Sequence, residues 1–202
     1  MDKNKTLNHG QEKMLEGTAL LHQGELERAR ESYAKTLGGE PENLEALYGI
    51  GMIHQQRNEF TSAREYFEKA LQCDANNSHL LNSFGVVSAH LGDREAAIHS
   101  FEKAIELDPA FVQAERNLAE IYIDSGEFER GVKHYMEALK RDPGDVDTLL
   151  AIAELYFEIG DFESTEFILK RVLEIDPENE FAREAIKINS AKLAALSQVG
   201  PE

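Results

Sequence analysis

A single repeat period, of about 34 residues, constrains this chain more than any other feature of its sequence. Gly92, Gly126 and Gly160 are evenly spaced by one period. The same step defines an aromatic or large apolar column of Tyr33, Phe67, Phe101, Tyr135 and Leu169. Both columns keep one register without an insertion. A fixed period of this length is typical of stacked supersecondary units, so the sequence predicts a repeat array rather than one irregular core.

Each repeat unit predicts two helices. In the third unit, small and apolar residues recur at helical spacing from Leu81 to Ser88. Gly92 then interrupts the pattern, and a second helical pattern runs from Ala97 to Pro109, where proline ends it. No run of β-branched residues alternates as a strand would. The sequence therefore predicts an all-helical chain.

Turn and capping residues recur at the same register. The glycine column supplies the left-handed residue between the two helices, and Asn58 takes that place in the second unit because Asn tolerates positive φ best after glycine. Residues that favour the N-cap precede the first helix of the next unit at Asn43, Asn77, Asp145 and Asn179. The small residues at Gly17 and Ala29, with their counterparts, predict a close helix crossing in each unit.

This pattern resembles the tetratricopeptide repeat family, down to the closing Asp-Pro of Asp108-Pro109, Asp142-Pro143 and Asp176-Pro177. The resemblance implies an all-α, right-handed α-solenoid of five helix-turn-helix units plus a C-terminal capping helix. The expected units are 10–43, 44–77, 78–111, 112–145 and 146–179, with the capping helix at 180–198 and flexible ends at 1–9 and 199–202.

The fifth unit and the capping helix each carry a prediction of their own. The fifth unit has Thr165 where alanine is usual, so its second helix is expected to deviate most. In the capping helix, Phe181, Ala185 and Ile188 can share an apolar face, with Arg183 and Lys187 mostly outside. That face is expected to turn inward, as a cap with one polar side requires.

The net charge argues against two classes of ligand, and the cysteine content excludes an intramolecular disulfide. Lys and Arg number 21 against 38 Asp and Glu, for a net charge of −17. Nucleic acid and anionic membrane surfaces are therefore not expected as ligands, because both attract basic proteins. A single cysteine, Cys73, cannot form an intramolecular disulfide and is expected to be a buried structural thiol. Without a predicted signal peptide or membrane span, we expect a soluble protein in a reducing compartment, the cytoplasm.

The sequence shows no catalytic, cofactor or metal motif. Gly49-Ile50-Gly51 lacks the third glycine of a dinucleotide loop and lies within a predicted helix. No Cys/His or His/His pair has zinc spacing on one face. His54, in a core column, is expected to be half-buried and structural, and His134 on a second helix to be solvated. We therefore predict no catalytic residue, cofactor or metal, and a non-enzymatic protein.

By resemblance, the first helix of each unit lines a concave groove, and its outward positions bind a partner. In the first three units the candidates are Met14, Thr18, Tyr48, Met52, His79, Asn82 and Val86. In the last two units they are Arg116, Asn117, Glu120, Asp124, Glu154, Phe157 and Glu158. The groove is therefore graded, with one half apolar or neutral and the other acidic.

Two known recognition patterns of this family do not match. The Lys and Asn clamp for acidic chaperone tails is absent, with Met14, Thr18 and Gly49 among the residues in its place. The asparagine ladder of O-linked N-acetylglucosamine transferase matches in register only at Asn117-Leu118-Ala119.

These observations favour a scaffold that binds a protein or peptide, with a basic or amphipathic segment as the expected ligand. Two alternatives stay open. The chain could be the recognition domain of a larger enzyme of the glycosyltransferase or methyltransferase type, or a self-assembling repeat protein, so oligomerisation is possible.

Overall fold

The computed structural model describes residues 9–198, which form eleven α-helices joined by short turns and contain no strand. The helices are α1 (His9–His22), α2 (Leu26–Gly39), α3 (Leu44–Gln56), α4 (Phe60–Cys73), α5 (Ser78–His90), α6 (Arg94–Leu107), α7 (Val112–Asp124), α8 (Phe128–Arg141), α9 (Val146–Glu158), α10 (Phe162–Ile175) and α11 (Glu180–Gln198). This confirms the all-helical prediction. Except for His9, the segments expected to be flexible lie outside the described residues.

The chain divides into two compact units, Met1–Ala114 and Glu115–Glu202, and each is considered by itself. The described part of unit 1 contains α1 to α6 and the first three residues of α7. Unit 2 contains the remainder of α7 and the helices α8 to α11.

The turns between paired helices confirm the predicted left-handed residue. Gly24, Gly92, Gly126 and Gly160 have φ between 76° and 81°, and Asn58 has φ of 59°. A side chain with a Cβ is strained in this region, which is why glycine fills four of the five turns and asparagine the fifth.

Three of the four predicted N-caps are confirmed. The Oδ1 atoms of Asn43, Asn77 and Asn179 accept hydrogen bonds from the backbone N–H three residues later, at 2.9–3.0 Å. Asp145 stands at the predicted N-cap position of α9, but its side chain accepts no such bond. Its carboxylate instead accepts a hydrogen bond from the Thr148 hydroxyl, which lies in the first turn of α9.

Close contact between a glycine and an aromatic ring sets how near the helices of a repeat approach. A Cβ added to Gly51 would lie 2.4 Å from the Phe67 ring, and one added to Gly85 would lie 2.6 Å from the Phe101 ring. Both rings are completely or almost completely buried. The small column predicted from the sequence is therefore required by the aromatic column that faces it.

An aromatic ring of this column also joins neighbouring repeats. The Tyr33 ring of α2 faces Gly17 of its own repeat and Gly49 of the next, where an added Cβ would come within 2.8 Å and 2.4 Å of it. Tyr33 thus packs against the following first helix as well as its own. This contact fixes the separation between the first two repeats of unit 1.

In unit 2, the fourth repeat has alanine in its first helix and glycine in its second, the reverse of the earlier repeats. Ala119 occupies the first helix and Gly131 the second, and a Cβ on Gly131 would meet the Ile123 side chain at 2.4 Å. In the fifth repeat, Thr165 is buried and its hydroxyl donates to the Asp161 carbonyl at 2.8 Å. The hydroxyl therefore has a hydrogen-bond partner within its own helix. Helix α10 has the same length, 14 residues, as the other second helices, so the expected deviation does not appear in its length.

A buried carboxylate replaces leucine in one column of unit 2. Leu149 occupies the same repeat position as Glu115, one period later, and Glu115 is only 3% exposed. His134 Nδ1 lies 2.8 Å from Glu115 Oε2, and Arg141 Nη2 lies 3.5 Å from Oε1. The His134 ring also stacks on Tyr122. The prediction of a solvated His134 is wrong, because the buried carboxylate draws the imidazole against the helix pair.

Two further side chains test the sequence predictions. His54 is half-buried, as predicted, with Nδ1 2.5 Å from Glu59 Oε2 and its ring stacked on Tyr66. The prediction for Cys73 is wrong, since this residue is exposed at the end of α4. Its thiol donates to the Lys69 carbonyl at 3.4 Å instead of packing in the core.

The close crossing can be tested by adding one methyl group. We expect Gly85→Ala to lower the free energy of unfolding by roughly 1–3 kcal/mol, because the new Cβ overlaps the Phe101 ring. Gly38→Ala is the matched control, since nothing lies within 4 Å of that Cβ and alanine favours the helix. Urea denaturation of both variants makes the comparison, and equal stability of the two would contradict the crossing.

The buried ion pair gives a second prediction. We expect Glu115→Leu to be neutral or to raise the free energy of unfolding by about 1 kcal/mol, because leucine suits this column and a buried ion pair gains little over apolar packing. Since His134 and Arg141 are each partly exposed, water can solvate them in the variant.

Glu115→Ala removes the same charge without filling the space and should lower the free energy of unfolding by about 2–3 kcal/mol. Urea denaturation again provides the measurement. Equal destabilisation by leucine and alanine would show that the ion pair itself holds the helices together.

Candidate functional site

Four acidic side chains predicted as partner-binding residues lie exposed on α7 and α9 of unit 2. They are Glu120 and Asp124 of α7, and Glu154 and Glu158 of α9. None of the four is in an ion pair with a basic side chain that the structure describes, in contrast to Glu115. Asn117, the match to the asparagine ladder, is half-buried on α7.

Three of these carboxylates, those of Glu120, Asp124 and Glu154, act electrostatically on one tyrosine. Tyr135 of α8 is buried, and burial is the main reason that the pKa of its hydroxyl lies far above the usual range. The negative charges of Glu120, Asp124 and Glu154 raise this pKa further, while Arg116 opposes them. Because electrostatic interactions weaken with distance, carboxylates of both α7 and α9 lie within electrostatic range of the Tyr135 hydroxyl.

The cluster is only partly neutralised. Partial burial of the carboxyl raises the pKa of Glu120, Arg116 lowers it, and the nearby charge of Asp124 raises it. Arg116 is shared with other acids, since its Nη1 lies 2.9 Å from Asp147 Oδ2 and 3.6 Å from Asp145 Oδ1. The face formed by α7 and α9 therefore keeps a local excess of negative charge.

An apolar pocket adjoins this cluster within unit 2. Its volume is about 260 Å³, and it lies between α9, α10 and α11. Its lining residues are Ala153, Glu154, Phe157, Thr165, Leu169, Phe181, Glu184, Ala185 and Ile188. Glu154 and Phe157 are the sequence-predicted residues that line this pocket, and Glu154 also belongs to the acidic cluster.

The orientation of α11 differs from the expected one. Phe181 is 61% exposed and Ile188 is 49% exposed, whereas Ala182 and Asn189 are fully buried. Asn189 Nδ2 donates to the Phe162 carbonyl at 2.8 Å, which fixes that side of α11 against α10. The expectation that Phe181 and Ile188 turn inward is wrong, because a buried amide and a small side chain occupy the packed side.

The residues of α11 in this pocket were missed at the level of sequence, although the repeat register could have found them. A step of one period leads from Asp147 to Phe181 and from Glu154 to Ile188. By register, α11 therefore presents the same positions as a first helix of a repeat. A helix predicted only as a cap can thus also present binding positions of the repeat.

In unit 1, the corresponding first-helix residues mostly contact other residues of the same unit. Tyr48 Oη and Ser83 Oγ share a hydrogen bond at 3.2 Å, and Ser83 Oγ also lies 3.8 Å from Met52 Sδ. Tyr48 packs on Phe67, and Asn82 is only 6% exposed. Tyr48 and Met52 are both half-buried, so this face offers less open surface than the face of unit 2.

The remaining predicted residues of unit 1 are spread over α1 and α5. Thr18 and Val86 are half-buried, while His79 is exposed with its ring centroid 4.7 Å from that of Phe111. The side chain of Met14 lies outside the described residues. The structure thus brings Tyr48 and Met52 together through Ser83, and leaves Thr18 and His79 to make separate contacts.

Metal-binding and membrane-spanning features are not found in the described part of the chain. Among its residues, no group of three or more His, Cys, Asp or Glu side chains is placed to hold a metal ion. Within residues 9–198, no helix has the length and apolar character needed to cross a membrane. What the face of unit 2 does offer is a set of carboxylates beside exposed apolar side chains.

Comparison with protein families identifies the class. One model described as tetratricopeptide repeat matches residues 14–78 and 90–146, and a second such model matches residues 125–186. Because these matches span more than half of the sequence, the chain belongs to the tetratricopeptide repeat family. No curated protein matches it in a sequence comparison.

Solved structures show the same fold. PilF of Pseudomonas aeruginosa is 17% identical, with a TM-score of 0.77 over 95% of this chain and 93% of its own. MamA of Desulfovibrio magneticus RS-1 is 18% identical, with a TM-score of 0.75 over 86% and 98%. YrrB, described as a TPR protein with an unusual peptide-binding site, is 24% identical, with a TM-score of 0.67 over 87% and 90%.

The raised pKa of Glu120 predicts how stability depends on pH. A carboxyl whose pKa is higher in the folded than in the unfolded chain holds its proton more tightly when folded. The folded state therefore loses stability as pH rises from the usual 4.5 through the higher folded pKa. Glu120→Gln cannot ionise, so it should be more stable than the parent near neutral pH, by up to about 0.5 kcal/mol.

The difference between the two proteins should disappear at a pH where Glu120 is protonated in both states. Urea denaturation at neutral and acidic pH measures this, with Glu129→Gln on α8 as a control for an exposed acid outside the cluster. A parent protein that is more stable than Glu120→Gln at neutral pH would contradict the raised pKa of Glu120.

Proposed function

We propose that this protein is an interaction scaffold whose α7–α9–α11 face binds a basic, amphipathic segment of a partner protein. We define this face by Glu120, Asp124, Glu154, Phe157 and Phe181. Membership of the tetratricopeptide repeat family supports a protein-binding role at the level of class. The description of YrrB as having a peptide-binding site is consistent with that role for a protein of this fold.

The observation that carries this proposal is a group of exposed carboxylates on α7 and α9 that lie in no ion pair with a described residue and act together on Tyr135. Glu120, Asp124 and Glu154 each act on the same hydroxyl although like charges repel. Removing such a group often stabilises a fold, so its presence indicates a use other than stability. A Lys or Arg from a partner would relieve the repulsion and form charge-assisted hydrogen bonds with these carboxylates.

The contrast with Glu115 supports the same interpretation. Glu115 is buried and has His134 and Arg141 as partners inside unit 2, which is what a structural carboxylate requires. The carboxylates of the face are exposed and in no ion pair with a described residue. They are therefore available to a ligand, whereas Glu115 is not.

Charge and apolar contacts should contribute differently to binding. A face with one sign of charge raises the rate of encounter with an oppositely charged segment, and salt reduces this effect. Buried apolar side chains contribute most of the affinity in typical interfaces. The acidic cluster should therefore govern association, and the apolar residues beside it should govern dissociation.

A peptide library displayed on phage and selected on the purified chain tests the proposal. We expect enrichment of peptides that combine Lys or Arg with large apolar residues. For an enriched peptide, Glu120→Gln with Glu154→Gln should reduce the association rate constant several-fold at low salt and weaken its dependence on salt. Surface plasmon resonance at low and high salt measures both effects.

The matched control is Glu129→Gln with Glu174→Gln, which changes the net charge equally but lies on the second helices α8 and α10. This control should retain the association rate of the parent apart from a small general charge effect. Enrichment of acidic peptides, or equal behaviour of the two double variants, would refute binding on this face.

A further inference from the structure

We propose that the pocket between α9, α10 and α11 binds one large apolar side chain of the partner segment. We further propose that a Lys or Arg two or three residues away in that segment binds Glu154 and the carboxylates of α7. This inference rests on the proposed function and specifies the ligand of the same face. It also makes α11 a wall of the binding site in addition to a cap.

The size of the pocket limits its occupant. Pockets that take drug-sized molecules have volumes of about 300–1,000 Å³, and this one, of about 260 Å³, falls just below that range. A single phenylalanine, leucine or methionine side chain suits such a space, whereas a whole helix does not enter it. Leu169 and Thr165 of α10 line it and are buried, so an inserted side chain would contact the interior of unit 2.

The walls of the pocket are apolar and partly exposed. Phe181 and Ile188 of α11 present large apolar surfaces to solvent, and contiguous surfaces of this kind commonly mark binding sites. On the opposite side, Phe157 packs edge-on against Phe162 with ring centroids 5.4 Å apart. This contact holds the Phe157 ring in place, so little conformational freedom is lost when a side chain enters.

Charge complementarity defines what must lie next to the apolar side chain. Glu154 lines the pocket and also acts on the Tyr135 hydroxyl together with Glu120 and Asp124. Glu184 stands on the α11 side of the pocket, where its only ion pair among described residues is an exposed one with Lys187. The rim is therefore acidic, which favours a cation beside the apolar residue.

The spacing follows from helix and peptide geometry. Packed helices lie about 8–10 Å apart, so the pocket beside α9 and the carboxylates of α7 are separated by roughly one such step. An extended peptide advances about 3.3 Å per residue. A cation two or three residues from the apolar side chain therefore reaches Glu154 or the α7 acids while that side chain stays in the pocket.

Three synthetic peptides of one length test this inference on the full chain. The first contains Lys and Phe separated by two alanines, the second replaces Phe with Ala, and the third replaces Lys with Ala. Binding is followed by ¹⁵N NMR titration, which detects weak complexes. We expect the first peptide to bind roughly tenfold more tightly than the second, with amide shifts at Phe181, Ala185 and Ile188.

Phe181→Ala with Ile188→Ala should remove the preference for the Phe peptide and leave the weaker binding of the Lys-only peptide. Because both residues are exposed, their truncation should leave the helical circular dichroism unchanged. Phe167→Ala is the matched control, since Phe167 is 68% exposed on α10 but does not line the pocket. This control should retain the preference in full.

The outcomes separate the two proposals. If the Lys-only peptide shifts α7 and α9 amides but Phe adds neither affinity nor shifts at α11, the pocket inference is wrong and the proposed function stands. If no peptide perturbs this face, both are wrong. If light scattering shows a dimer that Phe181→Ala with Ile188→Ala dissociates, a second copy of the chain occupies the pocket and the inference is overturned.

Discussion

The close contact between a small residue of one helix and an aromatic ring of the next is the constraint on which the repeats of unit 1 depend. Gly51 faces Phe67 and Gly85 faces Phe101 so closely that no Cβ fits between them. Because this contact recurs once per period, each of these first helices is held against its second helix in the same way. The outward positions of the first helices are therefore repeated too, and a binding face can be built from such positions without altering the core.

Unit 2 holds carboxylates in two different electrostatic environments within one fold. Glu115 is buried but has His134 and Arg141 beside it, so its negative charge is compensated inside the protein. Glu120 and Asp124 stand further along the same α-helix, where their charges raise the pKa of neighbouring groups instead. The first arrangement supports the fold, and the second stores an unfavourable interaction that a basic ligand would relieve.

Helix α11 packs against the fifth repeat with one side and lines a pocket with another. Ala182 and Asn189 pack α11 onto the fifth repeat, as a capping helix requires. The adjacent side of the same helix carries Phe181 and Ile188, which are exposed and line a pocket with Phe157. The 19-residue helix has surface for both sides, because its packed stripe occupies only part of its circumference.

The sequence by itself determined the repeat, the pairing of helices, the left-handed turns such as Asn58, and the acidic character of the α7 and α9 positions. These follow from periodicity and local chemistry, which the order of residues records directly. The sequence could not determine the environment of a side chain that depends on distant residues. Cys73 is exposed, His134 is held by Glu115, and Phe181 faces a pocket, because helix rotation and packing partners are set only when the helices meet.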